Sequence, residues 1–169
     1  DGTLSFMVGG PEDVFTECKP LLETMGASVV RVGDTGMGEA AKLINNLIVG
    51  ITFAAVAEGF ALGKKAGIDL TALFAGIKAS SGNSYTIETE LPLVYNGSYD
   101  VGFSLALACK DLGLACELGR EHGVPLELGG LIEQIFIRAK AQYGDDKNST
   151  QAVKLLEDAP KDYLRAEGY

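Results

Sequence analysis

The chain has 169 residues, a formal net charge of −9 and 47% hydrophobic side chains. That length holds one ordinary domain, or one domain plus part of another, and the apolar share argues for a packed core and against disorder. The negative charge leaves no general basic surface for nucleic acid or anionic lipid.

In chain order, Thr3-Leu4-Ser5-Phe6-Met7-Val8 alternates like a strand until Gly9-Gly10-Pro11 ends it. Pro11-Glu12-Asp13 opens a helix, with proline in the first turn and acids near the positive end of the dipole. Val14, Cys18, Leu21, Leu22 and Met25 keep helical spacing up to Gly26, and Ser28 to Val32 is a second short strand. This β-α-β piece reads as the tail of a parallel α/β domain, too small to form one alone. From about Met37 to Ala66 the pattern is helical without a proline, about thirty residues or roughly 45 Å. Such a length exceeds the usual globular helix and predicts a central post around which others pack. Small residues such as Ala54, Ala57 and Gly59 permit close approach, and Gly67 ends the helix. Further helices are expected from the N-cap Asp69 to Ala79, from Tyr85 to Tyr95, from Phe103 to Glu121, from Leu126 to Tyr143 and from Gln151 to Glu157. The division is therefore residues 1–34 as a β-α-β piece and 35–169 as an all-helical domain.

The three cysteines are too few and too oddly spaced for a disulfide frame or a zinc site, and no metal site is expected. Cys109 and Cys116 read as buried small apolar positions. The single histidine, His122, precedes Gly123 at a helix end and reads as part of a C-terminal cap, which argues against nucleophilic hydrolase chemistry. Asp1-Gly2-Thr3 has no signal-peptide character, and the run from Leu47 to Leu62 is interrupted by Thr52, Glu58 and Gly59, so no membrane span is expected. A reduced compartment, cytoplasm or organelle matrix, fits best.

The chemistry concentrates at Gly33-Asp-Thr-Gly-Met-Gly-Glu-Ala-Ala-Lys42-Leu-Ile-Asn45-Asn46. Gly33-x-x-Gly36-x-Gly38 is not the usual G-x-G-x-x-G phosphate turn, and a tight interdomain turn that seats a helix is the preferred reading. Lys42 and Asn46 are four apart and share a helical face. A lysine on a helix is ordinarily a solvated surface residue. Here Lys42 and two asparagines interrupt an apolar surface, which is costly unless something polar meets them, and a substrate is the competing reading. A second constellation is Phe103, Lys110 and Asp111, with Phe103 and Lys110 seven apart and so on one helical face. Taken alone it reads as a core phenylalanine beside an exposed Lys-Asp pair. Ser80-Ser81-Gly82 alone is a helix-breaking turn.

Together these stretches resemble the β-hydroxyacid dehydrogenase family. The resemblance rests on G-x-x-G-x-G-x-x-x-K-x-x-N-N, matched throughout Gly33 to Asn46. It extends through Gly2-Thr3-Leu4, Met7-Val8-Gly9-Gly10, Ala57-Glu58, Lys65 to Asp69 and Lys110-Asp111-Leu112. Ser80-Ser81-Gly82, Lys110 to Ala115 and Leu128-Gly129 are most similar to the family's 3-hydroxyisobutyrate dehydrogenase branch; tartronate semialdehyde and succinic semialdehyde reductases are the alternatives within it. The resemblance implies a helical bundle like the C-terminal domain of 6-phosphogluconate dehydrogenase, built around one long central helix and preceded by a β-α-β remnant of a Rossmann domain. It also implies exchange of hydride between NAD or NADP and a small β-hydroxy acid or semialdehyde. By resemblance Lys42 is the catalytic proton donor, Asn46, Asn45 and Phe103 bind substrate, and Lys110 and Asp111 lie near the cofactor. The family's G-x-G-x-x-G turn and Ser-Gly-Gly loop are not matched, so the chain is expected to be the carboxy-terminal part of such an enzyme. Alone, it is expected neither to bind NAD(P) usefully nor to turn over. A homo-oligomer through the helical domain is expected. The reading from another class is a non-catalytic helical dimerisation module with Lys42 idle.

Overall fold

The computed structural model describes residues 3–169, so Asp1 and Gly2, the latter part of the resemblance, lie outside the described residues. Contacts divide the chain into two compact units, Asp1–Asn46 and Leu47–Tyr169.

In the first unit, β1 (Leu4–Gly9) and β2 (Gly26–Gly33) pair in parallel, with Phe6 opposite Val29 and Met7 opposite Val30. Parallel neighbours need a crossover, and α1 (Glu12–Leu22) supplies it. This is the expected β-α-β piece. Its apolar residues remain largely uncovered: Leu4 and Val30 are exposed and no residue of α1 is buried. Parallel sheets ordinarily bury both faces, and two strands cannot do so by themselves. The end of β1 abuts the start of α2 (Met37–Lys65). A Cβ at Gly9 would stand 2.6 Å from the Asp34 carbonyl oxygen, and one at Gly38 would stand 2.6 Å from that of Met7. Only glycine permits this approach.

The long helix α2 has 29 residues, within a residue of the expected span. In the second unit its residues Leu47, Gly50, Phe53, Ala57, Phe60 and Gly63 form one buried stripe at helical spacing. Phe60 retains 1% of its surface, a burial worth roughly 1.5–3 kcal/mol. The expected post is thus packed along one face, whereas Ile44, Ile48 and Leu62 are exposed at 50, 58 and 71%. By length and composition α2 could cross a bilayer, with a mean hydropathy of 1.6 over an 18-residue window. The sequence reading weighed the shorter run from Leu47 to Leu62 and took it as too mixed for a span. The buried stripe shows that part of this apolarity serves a protein core.

After α2, Asp69 caps α3 (Leu70–Lys78) by accepting from the Ala72 amide at 2.8 Å, as its position after Gly67 predicts. The helix expected over 85–95 is two short ones, α4 (Tyr85–Thr89) and α5 (Leu91–Tyr95), broken at Glu90. Pro92 is the reason: it has no amide hydrogen for the preceding turn and suits the first turn of a new helix. α6 (Leu105–Glu121) and α7 (Glu127–Tyr143) pack on one another. On them Ala108, Leu112, Ala115 and Cys116, and Ile132, Phe136 and Ala139, are buried at three- and four-residue spacing. The connection turns at Gly123, whose φ of 65° follows the C-cap His122. The last helix is shorter than expected: a 3-10 turn (Ser149–Val153) precedes α8 (Lys154–Glu157).

The carboxy-terminal tail is strapped to the second unit by polar contacts. Asp162 bridges Lys64 at 2.7 Å and Lys65 at 2.6 Å. Glu157, 1% exposed, accepts from the Tyr99 hydroxyl at 2.6 Å and the Leu164 amide at 2.7 Å, with Arg165 beside it.

Candidate active site

The first group of site residues lies on the opening turns of α2. The turn before it is held by Arg31, whose Nε donates to the Gly10 carbonyl at 2.8 Å and whose Nη2 meets Asp34 Oδ1 at 2.9 Å. Met37 N–H donates to Asp34 O, and Ala40 N–H donates to Gly36 O, which starts the helix. Gly33 and Gly36 take φ of 143° and 91°, a backbone that side chains disfavour. Gly9 and Gly38 are closed against backbone, whereas a Cβ at Gly36 would meet open space.

Lys42 and Asn46 follow one turn apart on one face of α2. Asn45 Nδ2 donates to Asn46 Oδ1 at 3.2 Å, and both asparagines are half-buried. Lys42 is exposed. That corrects the sequence argument for it: there is no desolvated cation to explain, because the helix surface around it is open. What remains is an ammonium one turn before a partly ordered pair of amides, a geometry suited to a small polar ligand.

The second group lies in the second unit. Lys110, on α6, is exposed, and its Nζ is 3.2 Å from Oδ1 of Asp111, which is 9% exposed. The two together present one cation on a helix surface, anchored by a carboxylate that turns inward. Phe103 is half-buried but does not share a helical face with Lys110. Gly102 adopts φ 70° and Ser104 is the N-cap of α6, its Oγ accepting from Leu107 N–H at 3.2 Å. Phe103 thus precedes the helix, and the seven-residue spacing has no helical meaning there. Of the cysteines, Cys116 is buried and Cys109 half-buried, and burial pushes both thiols above their ordinary range.

Sequence reasoning passed over two features. One is the Tyr99–Glu157–Arg165 cluster, to which the sequence reading gave no role. The other is Asn148, placed in a polar connector. Neither has a local pattern that would reveal it, since Tyr99 is 58 residues from Glu157 and Asn148 is 46 from Gly102.

Two family models cover most of the chain. Residues 36–156 match the NAD-binding domain of NADP-dependent 3-hydroxyisobutyrate dehydrogenase, and residues 1–33 match the NAD-binding domain of 6-phosphogluconate dehydrogenase. The chain is 38% identical to 2-(hydroxymethyl)glutarate dehydrogenase of Eubacterium barkeri, across 92% of its length and 52% of the relative's. It is 40% identical to a probable mitochondrial 3-hydroxyisobutyrate dehydrogenase of Dictyostelium discoideum, across 90% of this chain and 49% of that one. Its structure superposes on that of Mycobacterium tuberculosis 3-hydroxyisobutyrate dehydrogenase with L-serine at a TM-score of 0.83 and 33% identity, over 92% and 55% of the two chains. The chain spans about half the length of the curated relatives it matches. With a match over 36–156, a shared fold and the glycine-lysine-asparagine run on α2, the chain belongs to the β-hydroxyacid dehydrogenase family.

Proposed function

We propose that this chain is the carboxy-terminal, substrate-bearing part of an NAD(P)-dependent dehydrogenase that interconverts a small β-hydroxy acid and its semialdehyde, with 3-hydroxyisobutyrate as the favoured substrate. Residues 1–34 serve the nucleotide-binding domain and 35–169 form the substrate and dimerisation domain. The carrying observation is the pair Lys42 and Asn46, one turn apart on the same face of α2 behind a glycine joint, in a member of this family. When bound, NAD or NADP supplies or takes up the hydride. Lys42 moves the proton: its ammonium donates to the carbonyl oxygen during reduction, and its neutral amine accepts the hydroxyl proton during oxidation. Asn46 and Asn45 hydrogen-bond the substrate, and Phe103 walls it. Lys110, held by Asp111, borders the cofactor.

The test is steady-state turnover by the protein joined to a complete nucleotide-binding domain. The panel holds 3-hydroxyisobutyrate, 2-(hydroxymethyl)glutarate, glycerate, serine and the reduction of tartronate and succinic semialdehydes. Preference for 3-hydroxyisobutyrate supports the reading; no turnover of any member overturns it. Preference for one of the semialdehydes transfers the proposal to that reductase. Residues 1–169 alone bind NADH weakly, and micromolar binding in a fluorescence titration refutes that part.

A second copy of the chain is the proposed partner. Ile51, Ala54, Ala55, Leu128, Leu131 and Ile135, with the exposed Glu58 among them, line an open groove of about 210 Å³ between α2 and α7. Ile48 and Leu62 of α2 are exposed as well. An apolar face of this extent, on a helix whose opposite stripe is already packed, is the kind that a protein surface covers. This observation is also what the non-catalytic reading rests on, and an active Lys42 separates the two. Several relatives are named mitochondrial, which fits a reduced compartment here.

A further inference from the structure

The segment that presents Phe103, residues 99–104, forms no helix or strand of its own. Tyr99 has φ 55° and Gly102 φ 70°, so two left-handed residues bend it within four positions. Such a bend keeps one direction only if other parts of the fold hold it.

The connector between α7 and the 3-10 turn does so. Ser149 N–H donates to the Phe103 carbonyl at 2.7 Å, Leu105 N–H to the Lys147 carbonyl at 2.7 Å and Ala106 N–H to the Asp145 carbonyl at 3.2 Å. Ser104 and Asn148 form an isolated antiparallel bridge. The Asn148 side chain completes the grip: its Oδ1 accepts from Gly102 N–H at 3.0 Å, and its Nδ2 donates to Asp100 Oδ1 at 3.2 Å. One amide therefore spans the bend just before Phe103, using an acceptor and a donor at once. A carboxylate could accept from Gly102 but would face the Asp100 carboxylate, and an alanine would do neither.

We infer that Asn148 is a positioning residue for Phe103, acting through Asp100 and Gly102, and that it shapes the substrate wall of the site. The inference rests on the proposed contact between Phe103 and substrate. The side-chain contacts of Asn148 are with Gly102 and Asp100, on the segment that presents Phe103, so its effect is expected on the substrate KM and not on that of the cofactor.

The experiment uses the enzyme with its nucleotide-binding domain complete and 3-hydroxyisobutyrate as substrate, or the preferred member of the panel. Asn148→Asp raises the substrate KM about tenfold, the worth of one hydrogen bond lost and one repulsion gained, and leaves the cofactor KM unchanged. The exchange Asp100→Asn with Asn148→Asp rebuilds the donor and acceptor in reversed order and returns the substrate KM to near its original value. If Asn148→Asp alone is insoluble, the exchanged pair decides by itself: a recovered KM supports the inference and a raised KM overturns it. Equal changes in both KM values, or no rescue by the exchange, overturn it as a purely structural effect. Phe103→Ala, measured alongside, separates the two layers. If it leaves the substrate KM unchanged, the wall reading and the inference fall together. If it raises KM while Asn148→Asp does not, only the role of Asn148 falls.

Discussion

Lys42 and Glu157 are both charged residues on helices rich in apolar side chains, and the fold treats them in opposite ways. Glu157 is 1% exposed and meets the Tyr99 hydroxyl, the Leu164 amide and Arg165, while Arg165 Nη2 also donates to Tyr99 Oη at 2.6 Å. Lys42 is exposed, on the part of α2 that precedes the packed stripe. Burial of charge at Glu157 therefore marks a fastener, where the carboxylate meets donors from the same chain. The candidate catalyst is accessible. A search that equated buried charge with function would have chosen Glu157.

The sharpest way to break this contrast is Lys42→Ala. Loss of general acid–base help lowers kcat by about 10²–10⁴-fold, while a surface substitution of this kind shifts stability by no more than roughly 0.5 kcal/mol. Unchanged turnover, or a large drop in melting temperature with it, would erase the difference between the two residues.

Next in size is Glu90, buried at the break between α4 and α5. Burial pushes its carboxyl from 4.5 up to about 7. The folded state therefore holds a proton that the unfolded state has already released over that interval. Stability falls as pH rises from the ordinary value toward about 7, by on the order of 2 to 3 kcal/mol in all. Urea unfolding at pH 5 and pH 8 measures it, and Glu90→Gln flattens the dependence. A wild-type protein equally stable at both pH values contradicts the assignment.

Tyr99→Phe tests the fastener directly. Burial, then the Glu157 contact, pushes the Tyr99 hydroxyl up to about 12, so it remains a donor at neutral pH. Its removal leaves Glu157 short of one donor and costs about 1–3 kcal/mol. Turnover of the intact enzyme at a temperature where both forms are folded is expected to change far less than with Lys42→Ala.

The smallest effect on folding, and the largest on assembly, is expected from Leu131→Asp on the exposed face of α7. It places a charge in the groove proposed for a second copy. Light scattering is expected to show a lower mass, with little change in monomer stability. An unchanged mass moves the partner surface elsewhere.

The β-α-β opening, the 29-residue helix and its end at Gly67 were legible because they depend on local rules: alternation, helical spacing, and glycine where side chains are disfavoured. The same holds for Asp69 and His122 as caps. Lys42, Asn45 and Asn46 were legible as a group because four-residue spacing on a helix is also local. The burial of Lys42 was misjudged because apolar neighbours in sequence do not say whether another element lies over them. Phe103 was misassigned to a helical face for a related reason: spacing carries geometry only inside the helix, and Ser104 starts it one residue later.

Sequence alone thus determined the helical elements, the glycine joint and the family, because these follow from neighbours within a turn or two and from a fourteen-residue run. Tertiary structure alone decided which face of α2 is packed and that Glu157 is satisfied by Tyr99 and Arg165. It also decided that Asn148 grips the bend before Phe103. Those contacts join residues 8 to 58 positions apart. Their energies depend on distances and on exclusion of water, which no local pattern encodes.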